Sequence, residues 1–251
     1  RNGLRSWGAS NVLEWRPTGS LALKSITAYR EYDAEASGSV AAFPLQESHF
    51  ENTQRQFSQE IRLSGLAFDE RLDWAVGAFY FDTSNRGTGR VQTADFENLS
   101  VFAHAIWHAG PRLDVTLGAR YSSETKDYRY FRQPVGAAPE NTTASSNRYS
   151  RLTPKVALGY SLTPDVLAYA SYSTGFTAGG FNPRPFTAAD SLLTYGPEVA
   201  ATWEIGLKSE WLDRRLRANA SAFFTQFDDI QMQLAGCAVG CPTRSPVYYD
   251  N

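Results

Sequence analysis

An excess of charge of one sign and a long hydrophobic run are both missing from this sequence of 251 residues. The 24 Lys and Arg residues are matched by 26 Asp and Glu residues, so the formal net charge is −2 at pH 7 and a nucleic-acid partner is not expected. No stretch approaches the roughly 18 consecutive apolar residues of a membrane-spanning helix, and Arg1 to Trp7 contain no apolar signal core. Hydrophobic residues still make up 42% of the chain and aromatic residues 14%, which excludes a disordered protein.

Cysteine is also scarce, since the chain contains only Cys237 and Cys241. Three residues separate them in a Gly- and Pro-rich stretch, which is enough to close a small ring when the loop curves. The simplest interpretation is one disulfide, kept oxidised in a compartment such as the periplasm. Two unrelated thiols are the alternative. A zinc site is less favoured because neither His nor further Cys lies nearby to complete four ligands.

The three histidines do not suggest a metal centre or a cofactor site. His104 and His108 share one face if both lie in one strand, but four residues at about 3.3 Å each separate them by roughly 13 Å. They cannot chelate one ion together, and we predict that they are ordinary lumen or rim side chains. His49 lies in a long predicted loop without neighbours that would mark it as catalytic. We therefore expect no cofactor.

What the sequence has in abundance is strict alternation of apolar and polar residues. Between Leu113 and Ser122 the odd positions are apolar and the even positions are polar or glycine. Successive side chains of a strand point to opposite faces, so this pattern predicts a two-faced β-strand. A transmembrane barrel strand needs only about 10 such residues, and a mean hydropathy of −0.38 is compatible with a wall of this kind.

The alternation recurs along the whole chain. The predicted strands are Ser6–Trp15, Leu21–Tyr32, Gln54–Ser64, Leu72–Thr83, Leu99–His108, Leu113–Tyr130, Arg151–Leu162, Val166–Phe176, Ala200–Trp211 and Leu216–Met232, with an eleventh starting at Val247. Short turns alternate with long polar connections, namely Asp33–Thr53, Ser84–Asn98, Phe131–Ser150, Thr177–Val199 and Gln233–Pro246. Because antiparallel neighbours alternate in direction, all short turns are expected at one rim and all long connections at the other.

We assign the apolar face to lipid and the polar face to a water-filled lumen. Aromatic side chains near strand ends, mostly beside short turns, fit an interfacial girdle; they are Trp15, Trp74, Trp107, Tyr160 and Trp211. A soluble antiparallel sheet with one buried face would alternate in the same way. The length of segments such as Leu113–Tyr130 favours tilted strands that project beyond a bilayer.

The segment from Tyr169 to Asn182, which reads YASYSTGFTAGGFN, resembles a segment of TonB-dependent outer-membrane receptors. Shorter stretches resemble barrel strands of the same family in the same order: Ser25–Arg30, Phe57–Leu63 and Trp203–Ser209. The resemblance covers nearly the whole chain. It implies an all-β, antiparallel, up-and-down transmembrane β-barrel of about 22 strands, of which residues 1–251 would be a central segment with about 10–11 strands. The plug domain and the C-terminal strands would be missing from this segment.

The resemblance further implies an active transporter in the bacterial outer membrane and no enzyme. The expected partners are outer-membrane lipid, the plug domain of the full-length chain, the TonB complex through a missing N-terminal region, and a bulky nutrient such as a ferric siderophore. Expected ligand contacts are loop aromatics and cations: Phe43, Phe50, Tyr128, Tyr130, Arg132, Phe181, Arg184 and Phe186. Expected plug-facing lumen residues are Asp114, Arg120, Lys155, Glu204 and Lys208.

Two alternatives stay open at the level of the sequence. One is a complete small outer-membrane barrel enzyme of the protease or lipase type, with Asp228 and Asp229 at the rim. Adjacent strand residues point to opposite faces, however, so these two carboxylates cannot form one catalytic pair without a bulge. The other is a soluble β-sandwich that binds carbohydrate, which would bury its apolar faces between two sheets.

Overall fold

A computed structural model gives the structure of residues 2–39, 47–87, 91–132, 140–141, 144–182, 192–235 and 247–250. Nearly all of these residues lie in β-strands. The strands are β1 Asn2–Thr18, β2 Leu21–Ser39, β3 Glu47–Ala67, β4 Leu72–Gly87, β5 Val91–His108, β6 Leu113–Arg132, β7 Glu140–Asn141, β8 Ser145–Thr163, β9 Val166–Thr177, β10 Gly180–Phe181, β11 Thr194–Tyr195, β12 Glu198–Trp211, β13 Leu216–Asp228, β14 Met232–Ala235 and β15 Val247–Asp250.

One sheet of 11 strands forms the body of the molecule, in the order β1-β2-β3-β4-β5-β6-β8-β9-β12-β13, with β7 paired to β6 beside this path. Each strand of this sheet pairs antiparallel with the next one in this order, so the predicted up-and-down topology is confirmed. Within the described residues β1 and β13 have one partner each, so the sheet is open. Two short hairpins, β10-β11 and β14-β15, stand apart from it.

The two faces of the sheet have opposite chemistry, and the apolar one is exposed. In the β6-β8 register, Leu117 faces Val156 on one side, while Arg120 faces Thr153 on the other. Leu117 is 53% exposed and Val156 is 42% exposed. The buried side chains include polar groups such as Ser100 and Ser122 on the opposite face. We call the exposed apolar face the outer face and the polar one the inner face.

This inverted polarity matches a wall that meets lipid outside and water inside. A soluble sandwich would bury the apolar face against a second layer, and no such layer exists in the described part of the chain. All of the predicted girdle aromatics lie on the outer face near the short turns, where Trp15 and Trp211 are well exposed. Among the residues with a described structure, no helix is long and apolar enough to cross a membrane.

Connections alternate between tight turns at one rim, the short-turn rim, and long segments at the other, the long-loop rim. At the short-turn rim, Arg71 N donates to Phe68 O at 3.2 Å, and Arg215 N donates to Leu212 O at 3.1 Å. The strands extend further toward the long-loop rim than predicted. For example, β3 begins at Glu47 and β5 at Val91, so much of the expected loops Asp33–Thr53 and Ser84–Asn98 is strand.

The apolar band of the outer face ends well before the strands do. On β6 the outward residues are apolar from Leu113 to Tyr121 and polar from Ser123 to Arg129. The upper half of the strand, from Ser123 to Arg132, therefore projects beyond the apolar band. The inner-face residues at this height belong to the candidate site.

Candidate ligand site at the long-loop rim

A cavity of about 850 Å³ opens on the inner face near the long-loop rim. Its wall is the upper part of strands β2 to β6, and its roof is the connection between β9 and β12. Tyr32, Asn52, Gln54, Phe96, Tyr128 and Phe181 are among the lining residues. All of the strand residues in this set share the inner face in the sheet register.

In the connection between β9 and β12, the described residues 178–182 and 192–197 fold back onto the inner face. Its short hairpin pairs Gly180 with Tyr195. Lys126 Nζ of β6 donates to Gly179 O at 2.6 Å, and Tyr149 Oη of β8 donates to Tyr195 O at 3.4 Å. The segment is thereby fixed to two strands of the wall.

Gln231, which follows β13, also binds this segment. Gln231 Nε2 donates to Ala178 O at 3.2 Å and to Gly196 O at 3.0 Å, while Gln231 N donates to Glu198 Oε2 at 2.7 Å. The two bonds from Gln231 Nε2 satisfy backbone carbonyl groups that have no partner in a strand pairing. The roof of the cavity is therefore held in place by hydrogen bonds from Lys126, Tyr149 and Gln231.

An aromatic cluster forms where this roof meets the wall. The rings of Tyr128 and Phe181 stack at 5.2 Å between centroids and 14° between planes. Tyr130 completes the buried cluster, with Ala94 packed against it. Tyr128 Oη donates to Asn182 O at 3.3 Å. Burial raises the pKa of Tyr128 far above its usual value, so this hydroxyl stays protonated and keeps its donor role.

Lys126 lies beside this cluster, and its ammonium is 5.7 Å from the centroid of the Phe96 ring. Burial lowers the pKa of Lys126, because the charged form loses hydration there. The rest of the cavity wall is rich in amide and hydroxyl groups. Asn52 Nδ2 donates to Tyr32 Oη at 3.1 Å, and Gln54 Nε2 donates to Thr83 Oγ1 at 3.1 Å. Stacking surfaces beside amides suit a ligand with planar groups and many hydrogen-bonding oxygens.

The predicted ligand residues fall into two groups. The structure brings Tyr128, Tyr130 and Phe181 together, with Tyr128 and Phe181 lining the cavity and Tyr130 packed behind them. The remaining predictions lie outside the described residues or side chains: Phe43, Phe50, Arg132, Arg184 and Phe186. The same is true of Cys237 and Cys241, so the disulfide stays a prediction.

The predicted plug-facing residues all lie on the inner face, below the cavity. Asp114 Oδ1 lies 2.7 Å from His108 Nδ1, whose Nε2 is 3.5 Å from Asp73 Oδ2. Tyr169 Oη donates to Glu204, and Lys208 Nζ lies 5.4 Å from the Tyr169 ring centroid. Asp114, Glu204 and Lys208 therefore have local partners.

Several side chains that line the cavity or hold its roof were not predicted from the sequence. Lys126, Phe96 and Gln231 hold or line the cavity, yet none was named. For Lys126 and Phe96 a signal existed, because continuing the even-numbered face of β6 beyond Arg120, and the even face of β5, places both on the inner side. For Gln231 no sequence signal existed, since its partners are carbonyl groups of a distant connection. In the described residues no group of three His, Cys, Asp or Glu side chains could hold a metal ion.

Fold and cavity together define a class: a membrane β-barrel wall with an open cavity at its long-loop rim. The family model described as "TonB dependent receptor-like, beta-barrel" matches residues 1–251. The chain belongs to this family, whose members are outer-membrane transporters and not enzymes. The family resemblance and the outer-membrane location predicted from the sequence are confirmed, and neither the small-barrel enzyme nor the soluble sandwich is correct.

Individual relatives agree with this assignment. The ferric-pyoverdine M114 receptor PbuA of Pseudomonas sp. (strain M114) is 27% identical over 244 residues, covering 88% of this chain and 28% of the relative. The ferric-pyoverdine 358 receptor of Pseudomonas putida is 28% identical over 63% of this chain and 17% of its own length. The chain thus spans less than a third of either relative.

Solved structures share the fold. The ferric yersiniabactin uptake receptor FyuA from Yersinia pestis superposes with a TM-score of 0.77 at 19% identity, over 91% of this chain and 37% of that one. The siderophore receptor PiuA from Acinetobacter baumannii gives a TM-score of 0.75 at 16% identity, over 100% of this chain and 42% of that one.

Proposed function

We propose that this chain forms part of the wall of a transporter that imports a ferric siderophore across the outer membrane. The observation that carries the proposal is the cavity at the long-loop rim, whose stacked Tyr128 and Phe181 rings and amide lining suit a bulky chelate. Both Pseudomonas relatives are named as ferric-pyoverdine receptors, which supports a ligand of this class.

The proposal includes two partners that lie outside this chain's described structure. A plug domain of the full-length protein would fill the lumen and contact the lower inner wall, where Asp114, Glu204 and Lys208 offer hydrogen bonds and charge. The TonB complex would supply energy through a region of the full-length chain beyond residues 1–251. We further propose that residues 1–251 are a central portion of the barrel, consistent with their coverage of 28% of PbuA.

Uptake of radioactive iron from a panel of ferric chelates tests the proposal. A strain lacking the receptor gene is complemented with the full-length receptor or with Tyr128→Leu, and the panel includes pyoverdine, catecholate and hydroxamate complexes. We expect the wild type to restore uptake of at least one complex, in a TonB-dependent manner. In the same uptake assay, Tyr128→Leu should weaken the apparent affinity for that complex about fivefold, since one aromatic contact is lost.

Tyr121→Leu is the matched control, because Tyr121 lies on the same strand but is 46% exposed on the outer face. Uptake through this variant should equal that of the wild type. If the wild type restores uptake of no ferric complex in the panel, the proposed function is wrong.

A further inference from the structure

A row of aromatic rings and cations descends the inner face from the cavity. Phe96 and Phe81 meet edge to face at 5.5 Å between centroids, and Phe81 stacks on Phe79 at 6.4 Å. The Arg120 guanidinium then lies 5.4 Å from the Phe79 centroid and 5.8 Å from the Phe102 centroid. We call this set the aromatic–cation row: Lys126, Phe96, Phe81, Phe79, Arg120 and Phe102.

The row links two depths of the lumen. Phe96 and Lys126 line the cavity, whereas Phe102 is six positions further along β5 toward the short-turn rim. At about 3.3 Å per residue, this separation is about 20 Å along the strand. The rings therefore extend from the cavity to the height of the apolar band, on the face that lines the lumen.

Small buried polar side chains hold the row in place. Arg120 Nε donates to Ser122 Oγ at 3.2 Å. The Ser100 hydroxyl lies 2.9 Å from Ser122 Oγ and 2.7 Å from Asn98 Oδ1. Ser100 is opposite Phe79 and Asn98 is opposite Phe81 in the register, so the small residues leave room for the rings beside them. Arg120 enters this network through its Nε, and the same guanidinium lies beside the Phe79 and Phe102 rings.

The lower end of the row carries three cations that form no ion pair in the described part of the chain, and the carboxylate on the same face beside the row is Glu60, opposite Phe79. Arg120 is opposite Thr153, and Arg151 and Lys155 flank Thr153 on the same face. Side chains at such diagonal positions are about 7–8 Å apart. In the described part of the chain none of these three cations has a carboxylate within 4.0 Å, although six ion pairs of other Lys and Arg side chains are present there. A group that carries negative charge would be attracted here.

We propose that the aromatic–cation row is a ligand path for anionic chelates with aromatic donor rings, leading from the cavity into the lumen. Planar rings stack on Phe96, Phe81 and Phe79, and a negative oxygen bound to such a ring meets Arg120 and its cationic neighbours at the lower end. The inference rests on the proposed transport function and narrows its ligand class. Continuity with the cavity favours a moving ligand over a resident carboxylate of the plug, because a plug contact would not need rings reaching up to the cavity.

Uptake and binding by the full-length receptor test the proposal with two probes. The first is the ferric complex of 2,3-dihydroxybenzoate, which is anionic and aromatic, and the second is the ferric complex of desferrioxamine B, which has no aromatic ring. We expect Phe79→Leu and Arg120→Gln to slow uptake of iron from the first probe about fivefold, the factor that one lost ring–cation contact gives. Its equilibrium binding to the purified receptor should change less than about twofold. Uptake of iron from the first probe should be slowed less by Arg120→Lys than by Arg120→Gln.

Tyr80→Leu is the matched control, since Tyr80 lies between Phe79 and Phe81 in β4 but points to the outer face. It should transport both probes as the wild type does. Equal slowing of both probes by Phe79→Leu would show that the row holds the plug, and uptake of the second probe alone by the wild type would show that the ligand class is wrong. Unchanged uptake in both variants would also overturn the proposal. If the wild type transports no ferric chelate at all, the proposed function itself fails.

Discussion

At the scale of single residues, the wall is shaped by glycines that lie opposite aromatic rings. Gly77 pairs with Phe102, and Gly206 pairs with Tyr169. A Cβ atom on Gly206 would come within 2.7 Å of the Tyr169 ring. Each ring thus covers the backbone of the glycine beside it, which shields strand hydrogen bonds and fixes the ring's position. The sequence alternation predicts only that these glycines lie on the inner face, not that rings cover them.

Gly77→Ala should destabilise the receptor by about 1–2 kcal/mol, because the added methyl group overpacks the site. It would meet Phe102 Cζ at 2.5 Å and the Ile61 carbonyl oxygen at 2.7 Å, and the backbone oxygen cannot move aside. Urea unfolding of the full-length protein in detergent or lipid measures the effect. Gly118→Ala is the control, since the nearest atom there, Lys155 Cβ, is 3.5 Å away. Equal midpoints for the two variants would contradict this account.

Lys126→Met should loosen the cavity roof while leaving the wall intact. The substitution removes the charged donor that binds the Gly179 and Ala178 carbonyls, and hydrogen bonds from charged groups are the stronger ones. We expect amide exchange of residues 178–182 to rise about tenfold in hydrogen-exchange mass spectrometry of the full-length receptor. Lys155→Met, on the same face but below the roof, should leave that exchange unchanged. An unaltered exchange rate in Lys126→Met would show that Gln231 and Tyr149 suffice to hold the cavity roof.

At the scale of strands, alternation predicts the membrane-facing part well and the projecting part poorly. Residues 113–122 alternate strictly, and they are strand with the predicted faces. The first residues of β3, β5 and β8 were expected to be loop, yet β8 starts at Ser145. Above the apolar band both faces meet water, so no apolar face is needed and the period-2 signal disappears. The predicted strand to Met232 instead ends at Asp228, just before Asp229 with a φ of 55°.

Placing an arginine on either face of one strand pair tests the orientation of the wall. Leu117 and Val156 are paired on the outer face. Leu117→Arg or Val156→Arg in the full-length receptor should cost about 2–4 kcal/mol, since a charge at mid-bilayer must leave water. Thr116 points into the lumen, so Thr116→Arg should lower the unfolding free energy far less. Unfolding free energies in lipid vesicles provide the measurement, and similar losses on both faces would refute the assignment.

At the scale of the whole molecule, fold and family could be predicted from the sequence, whereas the site could be predicted only in part. The alternation of apolar and polar residues and the segment from Tyr169 to Asn182 were enough to predict the barrel wall and its family. Tyr128 and Phe181 were named as ligand candidates, but their stacking depends on a connection that folds back over 50 residues away in sequence. Nothing in the local pattern of Thr177–Val199 specifies this fold-back, because its contacts are long-range hydrogen bonds from Lys126, Tyr149 and Gln231.

The open sheet leads to a prediction for residues 1–251 expressed without the rest of the receptor. In the described structure β1 pairs only with β2 and β13 only with β12, so two long edges carry unpaired backbone groups. In hydrocarbon each such group costs several kcal/mol, and only a closed barrel removes edges. We therefore expect no heat-modifiable monomer of this segment on electrophoresis in SDS after refolding into detergent, while the full-length receptor gives one. A heat-modifiable monomer of residues 1–251 would show that β1 and β13 pair with each other and that the sheet closes by itself. A heat-modifiable dimer would agree with the prediction, because β1 of one copy can then pair with β13 of the other.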